Sequence, residues 1–231
     1  RPYGHAVTKP TLAVTGATGF VGSTLLKAAT EAGHKVRALT RRPQPPAPGI
    51  EWVEGALDRP DSLKQLAQGA DAVIHVAGIV NAPTREGFVA GNITGTQAMV
   101  EAARAAGVDR FVHVSSLAAR APDLSVYGWS KAGAEDAVAG SSLDWAMVRP
   151  PAIYGPGDME MLDIFKMAKT GVMLMPPRGH MSVIHAEDLS RLLLALATPG
   201  TASGTILEAD DARPDGWTHG WRRSFAMSLV I

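Results

Sequence analysis

The chain has no cysteine. A disulfide framework, a thiolate-ligated metal and a cysteine nucleophile are therefore excluded, and a reducing compartment is compatible with the composition. An excess of charge of either sign is also missing, because 22 Lys and Arg face 22 Asp and Glu. Bulk charge thus gives no reason to expect a nucleic-acid or anionic-membrane partner. No apolar run reaches about 18 residues, so no membrane span is expected, and no signal-peptide core opens the chain. The seven histidines include no His-x-x-x-His pair, and no metal is expected. His75 and His113 fall in strand-like runs and read as buried, hydrogen-bonded structural residues. No internal repeat and no long low-complexity tract is visible.

What remains is a chain of 231 residues with 46% apolar and 19% charged residues, enough for one globular domain, with or without a small satellite. Short apolar runs alternate with helical patterns. Thr11–Thr15, Lys35–Thr40, Ile50–Val53, Ala72–Ala77, Phe111–Ser115 and Trp145–Arg149 read as strands. Ser23–Ala32, Asp61–Gln68, Thr94–Ala106 and Tyr127–Ala139 read as helices, with Gly33, Gly69, Gly107 and Gly140 at their ends. This alternation predicts βαβ units and a mostly parallel sheet covered on both faces. Arg42–Gly49, with four prolines, reads as a mobile loop. Beyond Gly155 the pattern changes: a methionine-rich helix over Asp158–Thr170, short strands at Met181–His185 and Thr205–Ala209, and a helix at Ala186–Ala197. Arg1–Thr8 reads as a flexible arm or an appended remnant, and Asp210–Ile231 has no clear pattern.

The most informative segment is Val14-Thr15-Gly16-Ala17-Thr18-Gly19-Phe20-Val21-Gly22. It sets three glycines at Gly-x-x-Gly-x-x-Gly spacing between a buried strand and a helix. Glycines at that turn let the backbone approach a ligand closely. The helix then offers unpaired N–H groups and the positive end of its dipole to a pyrophosphate. A dinucleotide is the ligand this context predicts.

A second signal is Tyr127-Gly128-Trp129-Ser130-Lys131. Residues four apart on a helix share a face, and an ammonium beside a phenol favours the phenolate, which lets a tyrosine exchange protons nearer neutral pH. A third is Ser115-Ser116, at the carboxyl end of a strand, where ligands sit in an open parallel sheet. A hydroxyl there can orient a substrate oxygen, although such serines more often cap turns.

Together these residues resemble the short-chain dehydrogenase/reductase superfamily, and most closely its extended and atypical branch, the NAD(P)-dependent epimerase/dehydratase family. Other matching segments are Val73–Gly78, Asn92–Thr96, Val148–Pro156 and Ser182–Asp188, so the resemblance runs from Thr11 to Ala209. It implies an α/β, Rossmann-type doubly wound parallel sheet over 9–154 and 181–200. A small carboxyl-terminal substrate lobe is expected from 155–180 and 201–231. It also implies roles. Tyr127 is the general acid/base, Lys131 holds the nicotinamide ribose, Ser116 rather than Ser115 orients substrate, and Asn92 supports the hydrogen-bond network. Gly16, Thr18, Gly19, Phe20, Val21 and Gly22 would cradle the dinucleotide. Ala77 and Gly78 would line it, and Pro150 and Ile153 would pass the nicotinamide.

The end of the second strand bears on cofactor choice. Ala38-Leu39-Thr40-Arg41-Arg42 carries no acid for a ribose 2′-hydroxyl, and guanidinium groups clamp phosphates with paired hydrogen bonds. NADP is therefore expected, with Arg41 the first contact and Arg42 the second, while NAD remains possible. The sequence departs from the family pattern in three places. Ala56 stands where an acid usually meets the adenine, leaving the Leu57 backbone to serve. The span from Ser116 to Tyr127 is short. The substrate lobe is small, which leaves a truncated end, an omitted tail and a minimal lobe all open.

Met159, Met161, Met167, Met173, Met175 and Met181 fit either an adaptable apolar pocket or ordinary core. Trp217, Trp221, Arg222 and Arg223 read as a packed or interface tail rather than a nucleic-acid site. The leading expectation is a cytoplasmic NADP-dependent oxidoreductase acting on a small-molecule alcohol or carbonyl. The alternatives are a sugar-nucleotide epimerase or dehydratase and a non-catalytic NADP-binding sensor or assembly protein. Look-alikes commonly form homodimers through the helices matching Thr94–Ala106 and Tyr127–Ala139, so a homodimer is possible.

Overall fold

Leu12, Ala13, Val14 and Thr15 are all shielded from solvent, as expected for a strand covered on both faces. The computed structural model describes residues 9–159 and 182–211. The elements in chain order are β1 (Leu12–Thr15), α1 (Phe20–Glu31), β2 (Val36–Thr40), β3 (Ile50–Glu54), α2 (Pro60–Ala67), β4 (Ala72–His75), α3 (Arg85–Phe88), α4 (Gly95–Ala105), β5 (Arg110–Val114), α5 (Val126–Ala139), β6 (Asp144–Arg149), β7 (Ala152–Tyr154), β8 (Val183–His185), α6 (Ala186–Leu196) and β9 (Thr205–Glu208). Seven of the strands form one parallel sheet in the order β3-β2-β1-β4-β5-β6-β9, and β7 pairs with β8 in a small parallel sheet.

Alternation along β1 sorts the core. Leu12 and Val14 pack with Leu25 of α1 and Leu189 and Leu193 of α6 on one face. Ala13 turns to the other face, with Leu63 of α2, Met99 of α4 and Val138 of α5. Each buried leucine contributes about 1.5–3 kcal/mol. The chain returns from β3 at one edge to β4 beside β1, so the strand order reverses between β1 and β4. A crevice outside their carboxyl ends is the ligand position this topology creates.

The elements agree with the sequence reading in outline, and they differ from it in several places, among them β7, which the sequence reading took as part of a turn. α1 starts at Phe20, three residues before the expected Ser23, because Gly19 takes the extended N-cap conformation. The helix expected from Thr94 is preceded by α3 and a π-helical turn, Val89–Thr94, which contains Asn92. Thr205–Glu208, assigned above to the lobe, lies at the edge of the large sheet, with Ile206 opposite Met147 and Leu207 opposite Val148. Its apolar residues cover an edge that β6 would otherwise leave open. The proline-rich loop is pinned at two points, by the Trp52 indole donating to the Pro45 carbonyl at 3.1 Å and by a bridge between Ala47 and Ile50. Residues 1–8, most of the expected Asp158–Thr170 helix, all the lobe methionines except Met159, and the Trp217–Arg223 tail lie outside the described residues.

Candidate active site

The glycine loop joins β1 to α1 at the point where the strand order reverses. Gly16 has φ +70°, and a Cβ there would lie 2.7 Å from the Ala77 backbone nitrogen. A Cβ on Gly22 would lie 2.0 Å from the Gly16 carbonyl oxygen. Only glycine allows the loop, the first turn of α1 and the end of β4 to close this tightly. Gly19 is the N-cap and supplies no side-chain cap to this 12-residue helix. The first amides of α1, at Phe20, Val21 and Gly22, thus have no side-chain cap, and Thr18 and Gly19 are exposed beside them.

The opposite wall is fixed by a buried histidine. His75 Nδ1 lies 2.7 Å from Thr15 Oγ1, and its Nε2 lies 3.0 Å from Thr96 Oγ1. Thr15 Oγ1 also accepts the Ala77 amide at 3.2 Å. One imidazole therefore links β1, β4 and α4 and sets the Ala77–Gly78 wall. Burial, assisted by the charge of Lys131, lowers the His75 pKa to about 3, so the ring is neutral. His113 stacks on it with ring centroids 5.4 Å apart. The expectation of a hydrogen-bonded His113 fails: neither of its ring nitrogens has a partner among the described residues. The apolar interior that surrounds β5 supplies no partner to either nitrogen.

The catalytic candidates meet at the carboxyl ends of β4 and β5. Ser125 caps α5, accepting the Gly128 amide at 2.9 Å, so Tyr127 and Lys131 lie on consecutive turns from the helix start. Lys131 is 4% exposed and its Nζ donates to the Val114 carbonyl at 2.8 Å. Burial lowers its pKa to about 8, opposed by the attraction of Glu135. The Tyr127 ring packs against Phe88, with centroids 6.3 Å apart. Asn92 donates to Ser130 Oγ at 2.8 Å and to the Ile79 carbonyl at 3.0 Å, and accepts the Ile79 amide at 2.8 Å. Ser130 Oγ in turn donates to the Tyr127 carbonyl at 2.8 Å. A Cβ at Gly78 would lie 3.0 Å from Asn92 Oδ1 and 3.6 Å from Lys131 Nζ, so Gly78, Asn92 and Lys131 converge on one spot. Ser116 is half-buried and caps the short 3-10 turn Leu117–Arg120, accepting the Ala118 amide at 3.2 Å.

The remaining candidates sit as follows. Arg41 and Arg42 are exposed beyond β2. Leu57 is half-buried and approaches Gly95, where a Cβ would lie 2.7 Å from its Cδ1. Ala56 bonds through its amide to Ser62 Oγ at 3.3 Å. The Pro150 carbonyl accepts the Leu117 amide at 2.9 Å, which ties the turn after β6 to the serine turn. Ile153 lies in β7 opposite Ile184 and packs on the core.

Sequence reasoning missed a buried ion pair next to these groups. Glu135 Oε2 lies 2.6 Å from Arg149 Nη2, and Glu135 Oε1 accepts Arg149 Nε at 2.9 Å and Ser115 Oγ at 2.5 Å. The available signal was spacing: Tyr127, Lys131 and Glu135 recur every four residues on one helix. Among the described residues, no group of three or more His, Asp and Glu could hold a metal. No helix among them is long and apolar enough to cross a membrane.

A family model described as NAD(P)H-binding matches residues 16–195, from the glycine loop into α6. The chain is 44% identical over 214 residues to a ceramide reductase of Caulobacter vibrioides, an alignment covering 90% of this chain and 66% of that protein. It is 29% identical over 248 residues to a 3 beta-hydroxysteroid dehydrogenase/Delta 5-->4-isomerase of Mycobacterium tuberculosis, covering 87% of this chain and 65% of that one. The chain thus spans about two thirds of the length of these relatives. The Bordetella bronchiseptica enzyme WbmH, solved in complex with NAD+, shares the fold with a TM-score of 0.77 at 21% identity, covering 87% of this chain and 76% of that one. With its reversed strand order, glycine loop and family match, this chain belongs to the NAD(P)H-binding family, in the extended and atypical branch of the short-chain dehydrogenases/reductases.

Proposed function

We propose that the chain is an NADP-dependent oxidoreductase that interconverts an apolar alcohol and its carbonyl, with Ser116, Tyr127 and Lys131 as its catalytic residues. The observation that carries this reading is Lys131: a buried lysine, anchored on the Val114 carbonyl one turn from Tyr127, directly behind Gly78 in the dinucleotide crevice. A buried ammonium is costly, and ionisable groups perturbed in this way cluster at functional sites.

The residues fit a dinucleotide. The glycine loop and the start of α1 would hold the pyrophosphate, Arg41 and Arg42 the 2′-phosphate, Leu57 the adenine edge, and Ala77, Gly78, Pro150 and Ile153 the nicotinamide half. When bound, the cofactor supplies or accepts the hydride. The chain does the proton work. Ser116 orients the substrate oxygen by a hydrogen bond. Tyr127 gives that oxygen a proton in the reductive direction and removes it in the oxidative one. Lys131 favours the phenolate by its charge and bonds the ribose. Asn92 holds Ser130 and the loop at Ile79 in place, and so keeps the first turns of α5 fixed.

Two observations favour an apolar substrate. Val80, Leu124, Val126 and Met159 are the large apolar side chains exposed among the described residues. All four lie in segments that follow the carboxyl ends of strands, the side on which Tyr127 stands. The two relatives reported above are named for a ceramide and a hydroxysteroid, both apolar alcohols. The test is calorimetric titration with NADPH and NADH, then NADPH oxidation over a panel of 2-alkanones of rising chain length, with Y127F as the control. Selective NADPH binding and a rate that grows with chain length and vanishes in Y127F are expected. Binding of neither nucleotide would overturn the reading in favour of a scaffold.

A further inference from the structure

We propose that Glu135 is a positioning residue of this site, holding Lys131 charged behind Tyr127 and locking the serine turn and the nicotinamide-side turn to the same helix. The proposal rests on the functional reading above.

The geometry is convergent. Glu135 is 5% exposed and follows Lys131 by one helical turn. Its carboxylate receives the Ser115 hydroxyl, from the residue before Ser116. It also receives two N–H groups of Arg149, the residue before Pro150. Hydrogen bonding to Glu135 raises the Arg149 pKa, and the guanidinium stays charged. Arg149 reaches on to Glu208 of β9 at 3.4 Å, and Glu208 meets Arg120, which ends the turn capped by Ser116, at 3.2 Å. One carboxylate thus joins the elements bearing Ser116, Tyr127 with Lys131, and Pro150.

A buried ion pair is a poor stabilising device, because two apolar side chains of the same volume commonly do as well. Its charge is what an apolar pair would not supply here. The groups facing Lys131 come from several elements. His75 of β4 and His113 of β5 are held neutral by burial and lend no negative charge. Asn92 of the π-helical turn is uncharged. Farther out, Arg149 of β6 is paired with Glu135 and Glu208, and Arg120 with Glu208. Glu135 is the charged group whose field favours the ammonium of Lys131. Without it, burial favours neutral lysine unopposed, and Tyr127 loses the charge that makes its phenolate accessible.

The test reads Tyr127 directly and needs no substrate. Tyrosinate absorbance of the full chain is titrated, and the same titration of Y127F is subtracted to isolate Tyr127. In the unsubstituted protein the midpoint should lie below that of a free phenol. Glu135→Gln keeps the volume and loses the charge, and should move the midpoint up by about one pH unit or more. Glu135→Asp keeps the charge and should leave the midpoint nearer the original. Because Arg149 left without its carboxylate partner can impair folding, the double variant E135Q/R149Q removes both charges and should move the midpoint the same way by less. An unmoved midpoint in folded E135Q, or in the double variant, overturns the role of Glu135. A free-phenol midpoint already present in the unsubstituted protein overturns instead the functional reading on which the role rests.

Discussion

Thr40 and Arg42 are bound to each other twice: the Thr40 hydroxyl donates to the Arg42 carbonyl at 2.6 Å and accepts the Arg42 amide at 3.3 Å. Thr40 is buried, so its hydroxyl serves the turn rather than a ribose. The turn presents Arg41 and Arg42 at the open end of β2. Arg41→Ala should weaken NADPH by about 10-fold or more, the usual size of a lost charge-assisted pair, and change NADH little. Parallel calorimetric titrations check this, and an equal loss for both nucleotides would remove Arg41 from the 2′-phosphate.

Gly22→Ala should abolish binding of either nucleotide. Its Cβ would stand 2.0 Å from the Gly16 carbonyl, and neither partner is a flexible side-chain end. The glycine loop and α1 must then separate. Thermal unfolding with and without NADPH should show the variant destabilised and unresponsive to the nucleotide.

Burial of Lys131 sets a stability profile. Its folded pKa is lowered from 10.5 to about 8, so the unfolded chain holds more protons between those values and stability rises across that window. Below pH 8 the penalty is complete, roughly 3 kcal/mol before relaxation. Lys131→Met should therefore be inactive yet as stable as the parent or more so at pH 7, and lose that advantage by pH 10. Melting curves at the two pH values decide this.

His113 gives the converse at acid pH. Its pKa is held well below 6.5 by burial first, then by Lys131 and His75. As pH falls below 6.5 the unfolded ring takes up a proton that the folded one refuses, and stability drops. His113→Leu should raise stability at pH 7 by about 1–3 kcal/mol, by removing two unmet polar atoms, and should make the decline toward pH 4 shallower, leaving the share that His75 contributes. Denaturant midpoints across that range would show a parallel decline if His113 were not responsible.

Much of the scaffold was legible because its signals are local. The glycines of the nucleotide loop, the four-residue step from Tyr127 to Lys131, and the apolar strand runs each lie within a few positions. Asn92 was named, but its π-helical setting was not, since a single wider turn leaves the apolar periodicity almost unchanged. The Glu135–Arg149 pair joins residues 14 apart on a helix and a strand, and the bond from Ser115 to Glu135 spans 20. No periodic pattern encodes contacts of that kind. The place of β9 was missed for a related reason: a short apolar run does not say which sheet edge it will cover.

The link from Thr15 through His75 to Thr96 spans three separate stretches of chain, 60 and then 21 residues apart. The nucleotide crevice therefore exists only once both halves of the sheet have come together. A nascent chain that has emerged only as far as α2 carries the whole glycine fingerprint yet has no wall opposite it. A ligand for such a crevice selects the finished sheet and adds its binding energy to that state alone.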